Sequence, residues 1–210
     1  MVQKSKTIYL IGYSGHGRVL MDAAIAQGLK VKGYFQDSES DQDPFLLPYN
    51  GNESDCNDDF FNQRSFILGI GDNKIRSKVY HQVKNKNGAI ETISHPNASI
   101  SNLAVIGEGC FLNAKSIVHI GAKIGVNTIV NTGAIIEHDC KIGAHVHIAP
   151  GATLCGNVTV GENTFIGAGA TIIQGISIGS NVKVGAGSVV ISDIPNNVTS
   201  VGIPSKIIVQ

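Results

Sequence analysis

From Ile100 to Val190 an isoleucine, leucine or valine stands at every sixth position, beginning Ile100, Ile106, Leu112, Val118 and ending Ile178, Val184, Val190. A helix repeats its buried face every 3.6 residues or so and a lone strand every second residue, so neither sustains this spacing over such a length. An unbroken period of six is the mark of a hexapeptide β-solenoid, in which short strands stack coil upon coil.

Within each hexad, with the aliphatic residue called i, position i+4 is small or β-branched (Ala104, Cys110, Ser116, Ala122, Thr128) and i+1 is often Gly or Asn. Position i+4 and the next i lie two residues apart, so both point into the solenoid core while i+2 and i+3 make the corners. The pattern resembles the left-handed parallel β-helix of hexapeptide-repeat acyltransferases, in which three hexads make a triangular coil of 18 residues; the fifteen intervals from Ile100 to Val190 then give five coils. That resemblance also implies a homotrimer of parallel solenoids with active sites between subunits. No hexad carries an insertion, so acceptor specificity is expected from the segment that precedes the repeat.

That segment reads as alternating β and α. Thr7 to Ile11 form a predicted strand, Val19 to Ala26 lie in a helix that stops near Gly28, and Val31 to Phe35 form a second strand with Asp37 just past its end. Between the first strand and the helix runs Gly12-Tyr13-Ser14-Gly15-His16-Gly17, spaced GxxGxG rather than as the dinucleotide fingerprint GxGxxG. Such a turn brings backbone amides and a helix N-terminus to a phosphate or sugar, or is a tight connection without a ligand. Residues 38–63 are polar, acidic and broken by Pro44, Pro48 and Gly51, which predicts a loop with one short strand at Phe45 to Tyr49. Ser65 to Ile70 give a strand that ends in Gly71-Asp72-Asn73, Lys74 to Lys86 a helix, and Ala89 to Ile93 a closing strand. Residues 1–94 are thus expected to form a small Rossmann-like α/β domain, too short for a two-halved dinucleotide fold, and residues 95–210 the solenoid with a tail ending VGIPSKIIVQ. Sheets of this kind bind ligands beyond the carboxyl ends of their strands, where Ser14, Gly15, His16, Asp37 and Gly71 fall, and a nucleotide-linked ligand is expected there.

Formal net charge is zero and no basic stripe occurs, which argues against nucleic acid or an anionic membrane as partner. No apolar run is long enough for a transmembrane helix and the N-terminus lacks a signal-peptide pattern, so the chain reads as cytoplasmic. The four cysteines lack CxxC spacing and are expected as reduced thiols.

Four histidines sit in the repeat: His119, His138, His145 and His147. A zinc site needs three imidazoles converging on one point, and the histidine spacing of the zinc-bearing γ-class carbonic anhydrases is not met, so no metal is expected. The other reading takes His138 as a general base: it occupies corner position i+2, and the adjacent Asp139 offers a carboxylate to orient the imidazole and raise its basicity. A corner histidine also has a plainer use, bonding to its neighbour. Gly156 follows His138 by 18 residues, one coil above, where a missing side chain leaves room for an acyl group. His147 lies nine residues on, half a coil round, so it shares a groove with His138 of a neighbouring subunit only. Ala168 and Ala186 stack in one corner column whose small side chains and backbone groups suit the pantetheine arm of coenzyme A. Cys110 and Cys140 face the core and Cys155 has no activating partner, which favours direct transfer over a covalent intermediate. His119 flanks the site, and Lys206 either meets a coenzyme A phosphate or is solvated.

The motifs IGYSGHGRV, LGIGDNKIR, SHPNASIS, VNTGAIIEHDCKIGAHVHIAPGATLCGNVTVG and VGIPSK, taken together, resemble the sugar N-acetyltransferases of the bacillosamine pathway and the related sialic-acid O-acetyltransferase group. The resemblance implies that His138 is the base and Asp139 its modulator, and that acetyl-CoA meets His147, Gly156, Ala168 and Ala186. It implies substrate contacts at Ser14, Gly15, His16, Gln36, Asp37 and Gly71, with Asn131 near the sugar. Gln36 and Asp37 stand where the bacillosamine-pathway members carry two adjacent acids, which leaves the nucleotide base open. The activity implied is acetyl-CoA-dependent acetylation of the 4-amino group of a nucleotide-linked amino-dideoxysugar; the alternative is O-acetylation of sialic acid or a polysaccharide precursor.

Overall fold

A computed structural model describes residues 7–62 and 64–208. The chain divides into two compact units, residues 1–93 and 94–210.

The first unit is built on a parallel sheet of β1 (Ile8–Ile11), β2 (Val31–Phe35), β3 (Ser65–Leu68) and β4 (Ala89–Ile90), in the order β2-β1-β3-β4. Its helices are α1 (Gly15–Ala26), the single turn α2 (Asp58–Phe61) and α3 (Asn73–Asn85). All of β3 is buried; α1 buries Leu20, Met21, Ala23 and Ala24, and α3 buries Val79, Tyr80 and Val83. From β1 the chain goes to one side for β2 and to the other for β3, so the strand order reverses beside the Gly12 turn, where such sheets open a crevice. The backbone is crowded there, and a Cβ on either Gly17 or Gly69 would collide with the Gly12 carbonyl oxygen. The glycines thus allow β1, β3 and the start of α1 to touch main chain to main chain.

Two sequence expectations need correction in this unit. Phe45 to Tyr49 is not a strand: a single bridge joins Tyr49 to Tyr34, and the supposed loop also contains a 3-10 turn at Glu53–Asp55 and helix α2. Helix α2 escapes a reading by periodicity because it is one turn long; it forms on its cap, with the Asn57 side chain accepting from Phe60 N–H and Asp58 and Asp59 at the positive helix end. The closing strand stops at Ile90, and Ile93–Ser94 is already the first strand of the solenoid, beside Phe111–Leu112.

The second unit is a parallel β-solenoid of about six turns. Its strands are two residues long and stack in register at a spacing of 18, as in Ile129↔His147 and Val130↔Ile148. Three sheets of eight, six and five strands result. The core consists of the i row (Leu112, Val118, Ile124) and the i+4 row (Cys110, Ala122, Ala134), as the alternation requires. Three buried i+4 groups return a hydrogen bond to the next coil: Thr128 Oγ1 to Gly143 O (3.0 Å), Thr164 Oγ1 to Gly179 O (2.7 Å) and Cys110 Sγ to Gly125 O (3.1 Å). Position i+3 is left-handed at Lys115, Asn127, Asp139, His145 and Asn157, with φ from 55 to 61°, and at Gly121, Gly133 and Gly151. Asn, Asp and Gly populate these corners because they tolerate that region best.

The solenoid outruns the aliphatic repeat at both ends. Past Val190, Ile194 bridges to Ile178, Thr199–Val201 pairs with Lys183–Val184, and Lys206–Ile208 folds back antiparallel on Thr199–Val201. The expected tail therefore serves as a terminal cap, continuing one sheet and closing it with a hairpin. No helix among the described residues is long and apolar enough to cross a membrane.

Close stacking at the corners yields a stability prediction. A Cβ on Gly161 would lie 2.5 Å from Ser180 N and 2.6 Å from Gly179 C, both main-chain atoms of the next coil. Gly161→Ala is expected to cost about 1–3 kcal/mol, whereas Gly15→Ala, which meets no atom within 4 Å, should stay within about 0.5 kcal/mol of the parent. Thermal unfolding of both variants checks this; equal melting temperatures would contradict corner-to-corner packing.

Candidate active site

The corner after strand Ile135–Ile136 carries His138 and Asp139, both exposed. Their backbones are tied to neighbouring coils: Asn157 N–H donates to His138 O (2.9 Å), and Asp139 N–H donates to Ile120 O (3.1 Å). His138 Nδ1 lies 3.0 Å from Asp139 Oδ2. An ionised carboxylate only accepts, so Nδ1 carries a proton, and in the neutral ring Nε2 presents its lone pair. That lone-pair atom faces Gly156, as expected from the 18-residue spacing, but the room at Gly156 has a different use. A Cβ there would lie 2.5 Å from His138 Nε2 and 2.6 Å from Cε1, so the imidazole itself takes the space. On the other side, the Asp139 carboxylate covers Gly121, where any Cβ would strike Oδ1. Two glycines, one coil apart in each direction, therefore frame the dyad. His119 Nε2 and Glu137 Oε1 are 3.8 Å apart at the same corner.

His147 opens strand His147–Ile148 in a different sheet from Ile135–Ile136, and a single protomer does not bring it to His138. It is 8% exposed, its ring stands edge-on to Phe165, and Nε2 is 3.1 Å from Asn131 Nδ2. Asn131, expected near the sugar, has its amide committed within the protomer: Oδ1 accepts from Thr132 N–H (2.8 Å) and from Asn113 Nδ2 (3.0 Å). His145 Nδ1 meets Asn127 Nδ2 at 2.8 Å. Among the described residues no three His, Cys, Asp or Glu side chains group so as to hold a metal ion. Cys110 and Cys140 are buried, and burial pushes the Cys140 thiol pKa up, away from a reactive thiolate.

Ala168 and Ala186 occupy one exposed column with Ala114 and Thr132 below them. The N–H groups of Ala114 and Thr132 are capped by the preceding asparagine side chains (2.7 and 2.8 Å). Gly167 and Gly185 precede Ala168 and Ala186 instead, so no such cap exists and these two N–H groups make no hydrogen bond among the described residues. The upper half of the column thus offers main-chain donors at the surface.

In the first unit, Ser14 is the N-cap of α1 but its side chain makes no capping hydrogen bond, and Gly15 is open on its Cβ side. The helix start therefore keeps uncapped main-chain donors. Gly71 faces the His16 ring, with a Cβ there 3.8 Å from Cγ. Burial, reinforced by the Arg76 charge, lowers the His16 pKa to about 4, so the ring is neutral near pH 7. Arg76 is fully buried and fastens this loop: Nη1 donates to the carbonyls of Ile70 and Gly71 (3.1 Å each) and Nη2 to Asn73 Oδ1 (2.9 Å). Sequence reasoning gave Arg76 no role; its three-residue offset from Asn73 on one helix face was the available signal.

At the end of β2, Gln36 is turned inward, with Oε1 accepting from Tyr13 N–H (3.0 Å) and Nε2 donating to Ser38 O (2.6 Å). Asp37 is exposed and accepts from Asn52 Nδ2 (2.6 Å), while Asn52 Oδ1 is pinned by Ser54 N–H (2.8 Å). Buried Tyr13 donates to Asp43 Oδ1 (2.6 Å), which tethers the acidic loop; burial, then the Asp43 bond, raise the phenol pKa well above its usual value.

Residues 7–83 match the family described as the PglD N-terminal domain. Residues 104–137 and 157–192 match the hexapeptide repeat of succinyl-transferase, and 121–156 the bacterial transferase hexapeptide. A perosamine N-acetyltransferase variant from Caulobacter crescentus, solved with CoA and GDP-perosamine, superposes with a TM-score of 0.91 at 31% identity, covering 97% of each chain. The acetyltransferase domain of PglB from Neisseria gonorrhoeae, in complex with acetyl coenzyme A, gives 0.90 at 33% identity over 97% of this chain and 100% of that one. WeeI from Acinetobacter baumannii gives 0.85 at 26% identity, again over 97% and 100%. Among curated proteins, the uncharacterized protein L142 of Acanthamoeba polyphaga mimivirus is 32% identical over 120 residues, and this chain spans 23% of its length.

The His16 environment generates a pH prediction. With a folded-state pKa of about 4 against an ordinary 6.5, the unfolded chain binds more protons in that window, so His16 makes stability fall as pH drops from 6.5 towards 4. The loss reaches on the order of 2–3 kcal/mol. His16→Gln is expected to flatten this part of the profile, as read by melting temperature at pH 7 and pH 4.5; an unchanged difference would place the titrating group elsewhere.

Proposed function

The chain belongs to the hexapeptide-repeat sugar acetyltransferases with a PglD-type N-terminal domain, and we propose that it moves the acetyl group of acetyl-CoA to the 4-amino group of a nucleotide-linked amino-dideoxysugar. The observation that carries this reading is the His138–Asp139 dyad: an exposed side chain whose ring is oriented through Nδ1, with Nε2 facing Gly156, on a backbone held by two coils. The Nε2 lone pair is occupied by Asn131 in His147, which favours His138 as the base.

In the proposed reaction His138 Nε2 takes a proton from the amine as its nitrogen bonds to the thioester carbonyl carbon. The carbon–sulfur bond then breaks and coenzyme A leaves as the thiolate, which accepts the proton from His138. Asp139 stabilises the transient imidazolium and fixes the ring. No cysteine is required, in keeping with the buried Cys110 and Cys140. Acetyl-CoA would lie along Gly156 and the uncapped amides of Ala168 and Ala186, with His147 in the same wall. A homotrimer would join that wall to His138 of the adjacent subunit.

The nucleotide is assigned to the rim formed by Ser14, Gly15, His16 and Gly71, with Asp37 at the base. The complex of the Caulobacter relative with GDP-perosamine supports a nucleotide-linked amino sugar as substrate. Since Gln36 is turned inward, Asp37 alone provides a carboxylate acceptor for base N–H groups. Such substrates and reduced thiols suit a cytoplasmic location.

The test is acetyl transfer from acetyl-CoA to UDP- and GDP-linked 4-amino sugars, with product analysis. Amide formation is expected; transfer to hydroxyls alone would establish the O-acetyltransferase alternative. His138→Ala should lower kcat by about 10²–10⁴ with the fold retained. Gly156→Ala, which displaces the imidazole, should cost roughly 10². Wild-type activity in His138→Ala would remove the base from this mechanism.

A further inference from the structure

The wall of the solenoid contains a run of buried polar side chains that the proposed chemistry does not explain. Asn113, Asn131 and His147 are 4, 9 and 8% exposed. Asn113 and Asn131 occupy equivalent positions in successive coils, and the next such position is Ala149, where the amide column ends. Buried amides of this kind persist when every heteroatom has a fitting partner.

The direction of each hydrogen bond is settled by the main chain. Ala114 N–H donates to Asn113 Oδ1 (2.7 Å) and Thr132 N–H donates to Asn131 Oδ1 (2.8 Å). A main-chain N–H can only donate, so in each side chain it identifies the oxygen and leaves the NH₂ group to point onward. The Asn113 NH₂ accordingly donates to Asn131 Oδ1 (3.0 Å) and Thr132 Oγ1 (2.8 Å), and the Asn131 NH₂ faces His147 Nε2 (3.1 Å). An amide nitrogen does not accept, so Nε2 must supply a lone pair and the neutral ring carries its proton on Nδ1. Phe165, edge-on at 5.1 Å, restrains the ring plane.

We propose that Asn113 and Asn131 are positioning residues: a backbone-anchored amide relay that locks His147 as the Nδ1–H tautomer and thereby fixes its ring in the acetyl-CoA wall. The inference rests on the reading of His147 as part of the acetyl-CoA wall. It assigns Asn131 to the cofactor side of the site, acting through His147, rather than to the sugar.

The test uses the full chain with ¹⁵N-labelled histidine, His147 being identified by the signal lost in His147→Gln. Long-range ¹H–¹⁵N correlation is expected to show Nδ1 protonated and Nε2 bare. Asn131→Asp sets an acceptor against Nε2 and should transfer the proton to Nε2, with KM for acetyl-CoA raised about tenfold and KM for the sugar within about twofold. Asn113→Ala removes the first link and should mix the tautomers and raise KM for acetyl-CoA by a smaller factor. If Asn131→Asp does not fold by circular dichroism, Asn113→Ala carries the comparison, since Asn131 keeps its Thr132 anchor. A wild-type Nε2–H tautomer overturns the proposal, as does an unaltered tautomer in the folded variants or a switched tautomer with unaltered KM for acetyl-CoA. Absence of any acetyl transfer would instead overturn the proposed function, while the tautomer measurement would still decide the relay.

Discussion

Backbone hydrogen bonds between coils, at a spacing of 18 residues, hold the solenoid together and place everything it carries. A strand of two residues has no stability of its own, and each forms only because parallel neighbours complete its ladder and close its core. This makes the corners rigid although they lie at the surface. Asp139 is a non-glycine residue in the left-handed region, a conformation that costs of order 1–2 kcal/mol, and its N–H is held by Ile120 in the coil below. An exposed histidine on a mobile loop would lose most of its orientation to entropy; His138 is fixed because its main chain belongs to a stacked coil.

His138 and His147 show how differently one residue type can be surrounded within a single solenoid. At His138, Nδ1 meets Asp139 and Nε2 faces Gly156. At His147 the contact is on the other nitrogen, where Asn131 Nδ2 lies 3.1 Å from Nε2. The difference comes from what stands next to each ring, a carboxylate in one case and an amide in the other, and not from the imidazole itself.

The first unit works by close approach rather than by stacking. Gly12, Gly17 and Gly69 let three main-chain segments meet where the strand order reverses, which brings the open end of α1 to the loop after β3. Arg76 then fastens that loop through two carbonyls from a buried position. Burial, with the Arg76 charge added to it, keeps His16 neutral, so the rim presents main-chain dipoles and a neutral ring.

The period of six was enough to determine the solenoid, its core rows and the stacking of His138 against Gly156, because every hexad meets the same environment and repeats the same answer in its residues. The alternation of strands and helices before it, and the glycine turn at Gly12, were legible for the same local reason. Helix α2 was not, since one capped turn leaves no period, and Ile93 was assigned to the wrong sheet because an aliphatic residue suits either. What only the tertiary structure decided was where each polar group points: that Gly156 makes way for the imidazole, that Gln36 turns inward, that Arg76 is buried, and that the Asn131 amide meets His147. An amide or an imidazole takes its direction from the partner that reaches it, and here those partners come from other coils and other strands. No local pattern in the chain records them.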